Sequence, residues 1–87
     1  MCKTYKVAGR VQGVFYRVSA REKAQQLNLR GWVKNLPDGQ VETYACGQSE
    51  QLGEYEQWLK NGPRLAKVLG IDVETSACTQ SEGFEIK

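Results

Sequence analysis

The hydrophobic pattern changes its period between Val11 and Tyr16, and this change limits the folds open to the chain. From Lys3 to Val11 apolar and polar residues alternate, which predicts a half-buried β-strand. From Tyr16 to Leu27 the apolar residues recur at helical spacing, with charged residues on the other face, which predicts an amphipathic helix. The strand therefore passes into the helix across a short turn that contains Gly13.

A β-hairpin signal follows the first helix. Residues 31–35 and 40–46 each have a strand-like pattern, and Val41, Thr43 and Ala45 are the expected inward positions. Between them, Leu36-Pro37-Asp38-Gly39 is typical of a turn, because proline and Asp-Gly supply the backbone angles that a turn needs. The two strands are therefore predicted to pair.

A second helix and two more strands complete the predicted elements. Ser49 is a suitable N-cap for a helix, and Asn61-Gly62-Pro63 is a suitable end. The remaining patterns predict a strand over residues 67–74 whose apolar positions are Leu69, Ile71 and Val73, a polar loop over 75–83 and a short edge strand over 84–87.

The order β-α-β-β-α-β predicts an α+β protein with a ferredoxin-like two-layer sandwich. Two helices would pack on one face of a four- to five-stranded antiparallel sheet. With 87 residues, the sequence is expected to form a single domain over 1–87.

The turn between the first strand and the first helix is a candidate anion site. Gly13 allows the backbone to approach a ligand closely, and the N–H groups from Gly13 to Arg17 lack partners within the helix. Arg17 can add a bidentate contact to two phosphate oxygens. The same spacing also fits an ordinary strand-to-helix turn with Arg17 as a solvated charge, so residue spacing alone leaves both interpretations open.

Asn35 is a second candidate, at the end of the predicted strand over 31–35. Its amide group both donates and accepts hydrogen bonds, so it is suited to holding a water molecule in a fixed orientation. An asparagine that merely starts a proline-containing turn has the same position.

Composition excludes several other kinds of site. The sequence has no histidine and no Cys-x-x-Cys pair, which argues against the usual zinc sites and against every Ser–His or Cys–His mechanism. The net charge of +2, from 12 basic and 10 acidic residues, is smaller than duplex-binding proteins usually have. The longest apolar runs are only a few residues, so no membrane-spanning segment is predicted and a cytoplasmic location is expected.

Two stretches together resemble the acylphosphatase family. Gly9-Arg10-Val11-Gln12-Gly13-Val14-Phe15-Tyr16-Arg17 is similar to the family signature Gly-x-Val-Gln-Gly-Val-x-Phe-Arg, and Gly31 to Glu42, running on to Gly47, is similar to the other family signature. Tyr16 stands where the family most often has phenylalanine, so its hydroxyl needs a polar partner or water. The element order also fits, and the resemblance covers nearly the whole chain.

The resemblance implies hydrolysis of the carboxyl–phosphate bond of small acyl phosphates to a carboxylate and inorganic phosphate. It assigns orientation of the attacking water to Asn35 and phosphate binding to the Arg17 side chain. It assigns the backbone cradle to Gly13, Val14, Phe15, Tyr16 and Arg17. No metal or other cofactor is expected, because carboxylate is a good leaving group and phosphoryl transfer depends mainly on charge placement.

A noncatalytic RNA-binding or anion-binding module of the same fold is the alternative. RNA-binding domains of this fold use aromatic residues on the sheet as stacking platforms, and this chain has several aromatic residues in predicted strands. Arg17 and Asn35 together favour the enzyme, because an RNA-binding module has no need of the pair. The expected partners are therefore the acyl phosphate and phosphate, with no nucleic acid and no membrane, and a monomer is the default.

The three cysteines are Cys2, Cys46 and Cys78. In the predicted topology the first and third strands are antiparallel neighbours, so Cys2 and Cys46 would face each other on the outer face of the sheet. A disulfide between them is geometrically suitable, whereas a reducing compartment would keep both as thiols. Cys78 falls in the polar loop and is expected to be free.

Overall fold

A computed structural model describes residues 1–79 and 82–87, and it shows two helices packed on one face of a five-stranded sheet. This agrees with the predicted α+β, ferredoxin-like arrangement. In chain order the elements are β1 (Cys2–Arg10), α1 (Tyr16–Gln26), β2 (Arg30–Asn35), β3 (Val41–Cys46), α2 (Ser49–Asn61), β4 (Lys67–Ser76) and β5 (Phe84–Ile86). No helix among the described residues is long and apolar enough to cross a bilayer.

The strand order in the sheet is β4-β1-β3-β2-β5, and every pair is antiparallel except β2 and β5. The prediction of a wholly antiparallel sheet is therefore wrong for β5. The cause is topological: β4 runs opposite to β1, and β1 and β2 run in the same direction. A strand that reverses direction after β4 and joins the far edge must lie parallel to β2.

The core lies between the sheet and the two helices. Tyr5 and Val7 of β1 and Val33 of β2 are fully buried, and so are Val41, Thr43 and Ala45, which confirms the predicted inward positions of β3. Thr43 is a buried polar residue whose hydroxyl lies 2.8 Å from both the Trp32 carbonyl oxygen and the Tyr55 hydroxyl. Its hydrogen-bonding groups are therefore satisfied within the core.

A β-bulge in the β1–β4 pair changes the side-chain pattern of β4. Ala8 pairs with Gly70, but Gly9 pairs with Val68, so Leu69 is left without a partner and is 74% exposed. The predicted alternation of Leu69, Ile71 and Val73 is therefore wrong at Leu69. Ile71 packs against the core, and Val73 is 39% exposed. Gly9 has φ 127°, and a Cβ there would lie 2.8 Å from the Leu69 backbone nitrogen, so the close approach requires glycine.

The helix ends differ slightly from the predictions. The N-cap of α2 is Gln48 and Ser49 is its first residue, so the prediction of Ser49 as the cap is wrong by one position. After α1, Asn28 has φ 58°, so this helix ends on a left-handed residue.

Candidate functional site

The turn between β1 and α1 contains two left-handed residues. Gly13 has φ 74°, and Phe15 has φ 64° and ψ 24°. Left-handed residues that alternate with ordinary ones direct successive N–H groups to one concave side, an arrangement called a nest, which binds anions. A non-glycine residue in this conformation is strained, and the exposed Phe15 side chain offers no packing that would explain it. The backbone shape at this turn is therefore itself a functional signal.

Helix α1 begins immediately after this turn, and Arg17 lies in its first turn. Phe15 is the N-cap and makes no side-chain capping hydrogen bond, so the first N–H groups of the helix have no capping acceptor. The positive end of the helix dipole adds to their attraction for an anion. The ion pairs found among the described residues, Lys34–Glu42 and Lys60–Glu56, do not involve Arg17.

Asn35 ends β2 on the side of the sheet that faces the helices. It pairs with Val41 and has the same strand parity as the buried Val33. Its Oδ1 atom is buried and has no hydrogen-bond partner among the described residues. An unpartnered buried acceptor costs about 1–3 kcal/mol, so a position of this kind is retained where a water molecule or ligand supplies the donor.

Gln12 joins the turn to the hairpin that carries Asn35. Its Nε2 donates one hydrogen bond to the Leu36 carbonyl oxygen and another to the Gln40 carbonyl oxygen, both at 2.9 Å. Gln12 was not among the predicted site residues. The sequence does show an amide with two N–H groups inside the turn. Its two acceptors lie 24 and 28 residues away, so the pairing could not be recognised from spacing.

Tyr16 is buried beneath the turn, and its hydroxyl donates a 2.6 Å hydrogen bond to the Leu59 carbonyl oxygen. The partner that this hydroxyl was predicted to need is therefore a helix α2 carbonyl. Burial raises the pKa of Tyr16 far above its ordinary value, so the hydroxyl stays protonated. Tyr16 thereby fixes α1 against α2, and with α1 it fixes the position of Arg17.

A cavity of about 220 Å³ lies between the turn and the end of β2. It brings together five of the six predicted residues of the anion and water sites, and the sixth, Val14, is buried in the core instead. The cavity therefore holds an arginine, a set of uncapped N–H groups and an unpartnered amide oxygen. Its lining residues are Val11, Gly13, Phe15, Tyr16, Arg17, Val18 and Asn35.

The predicted cysteine pair lies at the opposite end of β1. Cys2 and Cys46 are partners in the antiparallel register, with Cα atoms 4.1 Å apart and sulfur atoms in contact. The Cys78 sulfur also contacts the Cys2 sulfur, and their Cα atoms are 5.4 Å apart. Cys78 was expected to be free in the polar loop, but its sulfur lies against that of Cys2.

Comparisons with known proteins agree with the geometry. The family model described as acylphosphatase matches residues 3–86. A Methylococcus capsulatus protein named acylphosphatase is 55% identical over 73 residues, which cover 84% of this chain and 79% of that protein. A Nitrosococcus oceani acylphosphatase is 43% identical and covers 99% and 97% of the two chains. The solved structure of an acylphosphatase from Coxiella burnetii superposes with a TM-score of 0.95 at 41% identity, over 99% of this chain and 90% of that chain.

Proposed function

The chain belongs to the acylphosphatase family and is an enzyme of that type, and from this premise we propose how its residues hydrolyse an acyl phosphate. Arg17 and the backbone N–H groups from Gly13 to Arg17 bind the phosphoryl group. Asn35 orients the water molecule that attacks phosphorus. The products are a carboxylate and inorganic phosphate.

Phosphate binding is supported by the geometry of the turn. The nest at Gly13 and Phe15 and the uncapped start of α1 supply N–H donors in a fixed arrangement. The Arg17 guanidinium adds two donors in a planar fork that matches two phosphate oxygens. Charge on these oxygens is stabilised throughout phosphoryl transfer, and preorganised donors stabilise it without rearranging during the reaction.

The observation that carries the proposal is that Asn35 lines the same cavity as Arg17, while its buried Oδ1 lacks a donor among the described residues. A water molecule placed there would donate one hydrogen bond to Oδ1. That bond fixes the direction of a water lone pair toward the phosphorus atom. Orientation of this kind replaces a random encounter with an aligned one, which lowers the entropic part of the barrier.

The reaction needs no strong general acid or base from the chain. A carboxylate is a weakly basic leaving group, so it departs without prior protonation. A phosphoryl oxygen accepts the proton that the attacking water loses. This scheme is consistent with a sequence that contains no histidine, and it uses no metal ion.

The wider expectations are part of the same proposal. Residues 1–87 act as one domain, and the enzyme is a monomer. Small acyl phosphates are charged metabolites, so the enzyme is placed in the cytoplasm, with no nucleic acid or membrane as partner. The RNA-binding alternative is not favoured, because the chain belongs to the acylphosphatase family, Tyr5 and Phe84 are buried in the core, and Trp32 and Tyr44 on the other face of the sheet stack on each other.

Release of inorganic phosphate from acetyl phosphate by the purified protein tests the function. We expect turnover in the presence of EDTA, and little turnover by Arg17→Ala under the same conditions. Arg21→Ala is the matched control. Arg21 carries the same charge one helical turn further along α1, but it does not line the cavity. Loss of activity on adding EDTA while the protein remains folded, or full activity in Arg17→Ala, would contradict the mechanism.

A further inference from the structure

A second group of reactive side chains lies at the end of the sheet remote from Arg17 and Asn35. The sulfur atoms of Cys2, Cys46 and Cys78 all lie within 4.8 Å of one another. Cys2 and Cys46 are buried and Cys78 is exposed. β1 separates this cluster from the anion-binding turn by roughly 26 Å, at about 3.3 Å per residue.

The topology of the sheet creates this cluster. Cys2 begins β1 and Cys46 ends β3, and the antiparallel register places them side by side on the face away from the helices. The chain that leaves β4 at one edge must reach β5 at the other edge, so it passes these strand ends. Cys78 lies at the start of that passage.

Tyr44 holds the segment around Cys78 in place. Its hydroxyl donates a 2.8 Å hydrogen bond to the Ala77 carbonyl oxygen and accepts a 2.9 Å hydrogen bond from the Thr79 backbone N–H. Its ring stacks on Trp32, with centroids 5.9 Å apart. The residues on both sides of Cys78 are therefore fixed by one side chain that is independent of the sulfur atoms.

Three sulfur atoms cannot all be joined by disulfides, because each sulfur forms only one such bond. Cys2 contacts both of the other sulfurs, so any disulfide at Cys2 leaves the third thiol unused. In the reduced protein, by contrast, one arrangement uses all three groups. Three thiolates that lie within 4.8 Å of one another can converge on one tetrahedral metal ion, since zinc–sulfur bonds are about 2.3 Å long.

We propose that the reduced Cys2, Cys46 and Cys78 thiolates bind one Zn²⁺ ion in a site separate from the proposed catalytic cavity. A cavity of about 680 Å³ borders the three cysteines, so the fourth position on the metal is open to water. Cysteine-only ligands are typical of zinc and other soft metal ions.

The surrounding charge favours a divalent ion. Three thiolates and Zn²⁺ leave one net negative charge, whereas a monovalent ion would leave two. Arg30 and Glu82 both line the same cavity, and Arg30 is the register partner of Cys46 on β2. The Arg30 guanidinium offsets one thiolate charge, whereas the Glu82 carboxylate adds to the attraction for a cation. The ion would have a structural role, because it would join the start of β1, the end of β3 and the segment after β4.

Zinc binding to the reduced protein tests the proposal. The protein is reduced, freed of metal and titrated with Zn²⁺ without oxygen, and stoichiometry, proton release and melting temperature are measured. We expect one ion per chain, release of protons from the thiols and a melting temperature that rises with Zn²⁺ concentration. Co²⁺ should give the sulfur-to-metal charge-transfer absorption of a thiolate site.

Two variants separate the site from nonspecific binding. Cys78→Ser removes the exposed ligand and should weaken Zn²⁺ binding at least about 100-fold. Tyr44→Phe keeps all three ligands but loses the hydrogen bonds to Ala77 and Thr79. It should weaken Zn²⁺ binding about 10-fold, as does the loss of other residues that hydrogen-bond around metal ligands. Tyr55→Phe is the matched control, since its hydroxyl contacts Thr43 and not the cysteine segment. Acetyl phosphate turnover reports that each variant is folded.

The competing interpretation is that two of the three cysteines form a disulfide and the cluster binds no metal ion. If the reduced protein binds no Zn²⁺, or if Cys78→Ser binds it as well as the parent protein, the proposal is overturned. Oxidation by glutathione disulfide, which is itself reduced to two glutathione molecules, should convert two thiols to one disulfide and abolish Zn²⁺ binding. An oxidised protein that retains full Zn²⁺ affinity would also overturn it.

Discussion

The two ends of β1 carry two clusters of functional groups that are assembled in different ways. Beyond Arg10, the anion-binding turn follows directly along the chain, and most of its groups lie within residues 12–17. At the other end, Cys2 meets residues 44 and 76 positions away in sequence. The first cluster is local and recognisable as a motif, whereas the second exists only because of strand register and topology.

This difference determines which changes in the chain each cluster can tolerate without losing its shape. A local turn keeps its backbone shape as long as its own residues and their immediate supports remain. A cluster from three distant segments depends on the whole sheet and on the path from β4 to β5. The following predictions test whether the two ends are independent, beginning with the largest expected effect.

Arg17→Ala should lower turnover of acetyl phosphate by about 1000-fold, because a charged donor to the transferring phosphoryl group is lost. The same variant should bind Zn²⁺ with unchanged affinity, since Arg17 lies at the opposite end of β1. Steady-state kinetics and a zinc titration on one preparation measure both quantities. A parallel loss of both properties would show that the two ends are coupled.

Asn35→Ala should lower kcat by about 100-fold while the inhibition constant of inorganic phosphate changes little. The reason is that the amide orients water and leaves the phosphate donors in place. Asn61→Ala is the control, because Asn61 is an exposed asparagine at the end of α2. If phosphate affinity falls as far as kcat does, Asn35 binds phosphate rather than water.

Gln12→Ala should lower kcat about 10-fold and the free energy of unfolding by ~1–2 kcal/mol, since two hydrogen bonds to hairpin carbonyls are lost. Gln12→Glu keeps the side-chain length but an ionised carboxylate has no donor, so it should be at least as harmful. Wild-type kcat in Gln12→Glu would show that the two hydrogen bonds from Gln12 to the hairpin do not position the turn. Chemical denaturation and kinetics separate the two effects.

The smallest expected effect is on how the folding stability depends on alkaline pH. Burial raises the pKa of Tyr5 to about 12, helped by the negative charge of Glu56, and burial also raises the pKa of Tyr16 and Tyr55. In the unfolded chain these hydroxyls ionise near pH 10, so above that pH the unfolded state binds fewer protons than the folded state. Stability should therefore be full below pH 10 and fall as pH rises toward 12.

Denaturation curves from pH 8 to 12 measure this fall. Because these tyrosines lie in the shared core, loss of stability should affect both ends of β1 together. Tyr16→Phe should give a shallower fall than the parent protein, since one ionisable core group is gone. An equal slope in the two proteins would contradict the role of Tyr16 burial.

Much of the fold could be predicted because hydrophobic period is a local property. The strand and helix positions followed from the alternation before Val11 and the helical spacing after Tyr16, and most element ends agree within two residues. The direction of β5 and the exposure of Leu69 could not be predicted in this way. The first depends on the path across the sheet, and the second depends on a bulge formed with Gly9 of another strand.

The same contrast applies to the candidate site. Arg17 and Asn35 lie inside recognisable motifs, and the structure places both on one cavity. Gln12 was missed as a support because its acceptors belong to the hairpin, and the Cys78 contact was missed because no spacing pattern links positions 2, 46 and 78. Pairwise contacts between distant segments are visible only after the sheet order is known.

The exposure of Leu69 has a consequence for self-association. β4 is a ten-residue strand at the edge of the sheet, longer than the usual five or six, and its outer backbone groups can pair with another chain. Asp72 and Glu74 are exposed on it and place negative charge along that edge, while the bulge at Leu69 increases its twist. These features act as gatekeepers, so neutralising the two carboxylates should favour edge-to-edge aggregation at high protein concentration.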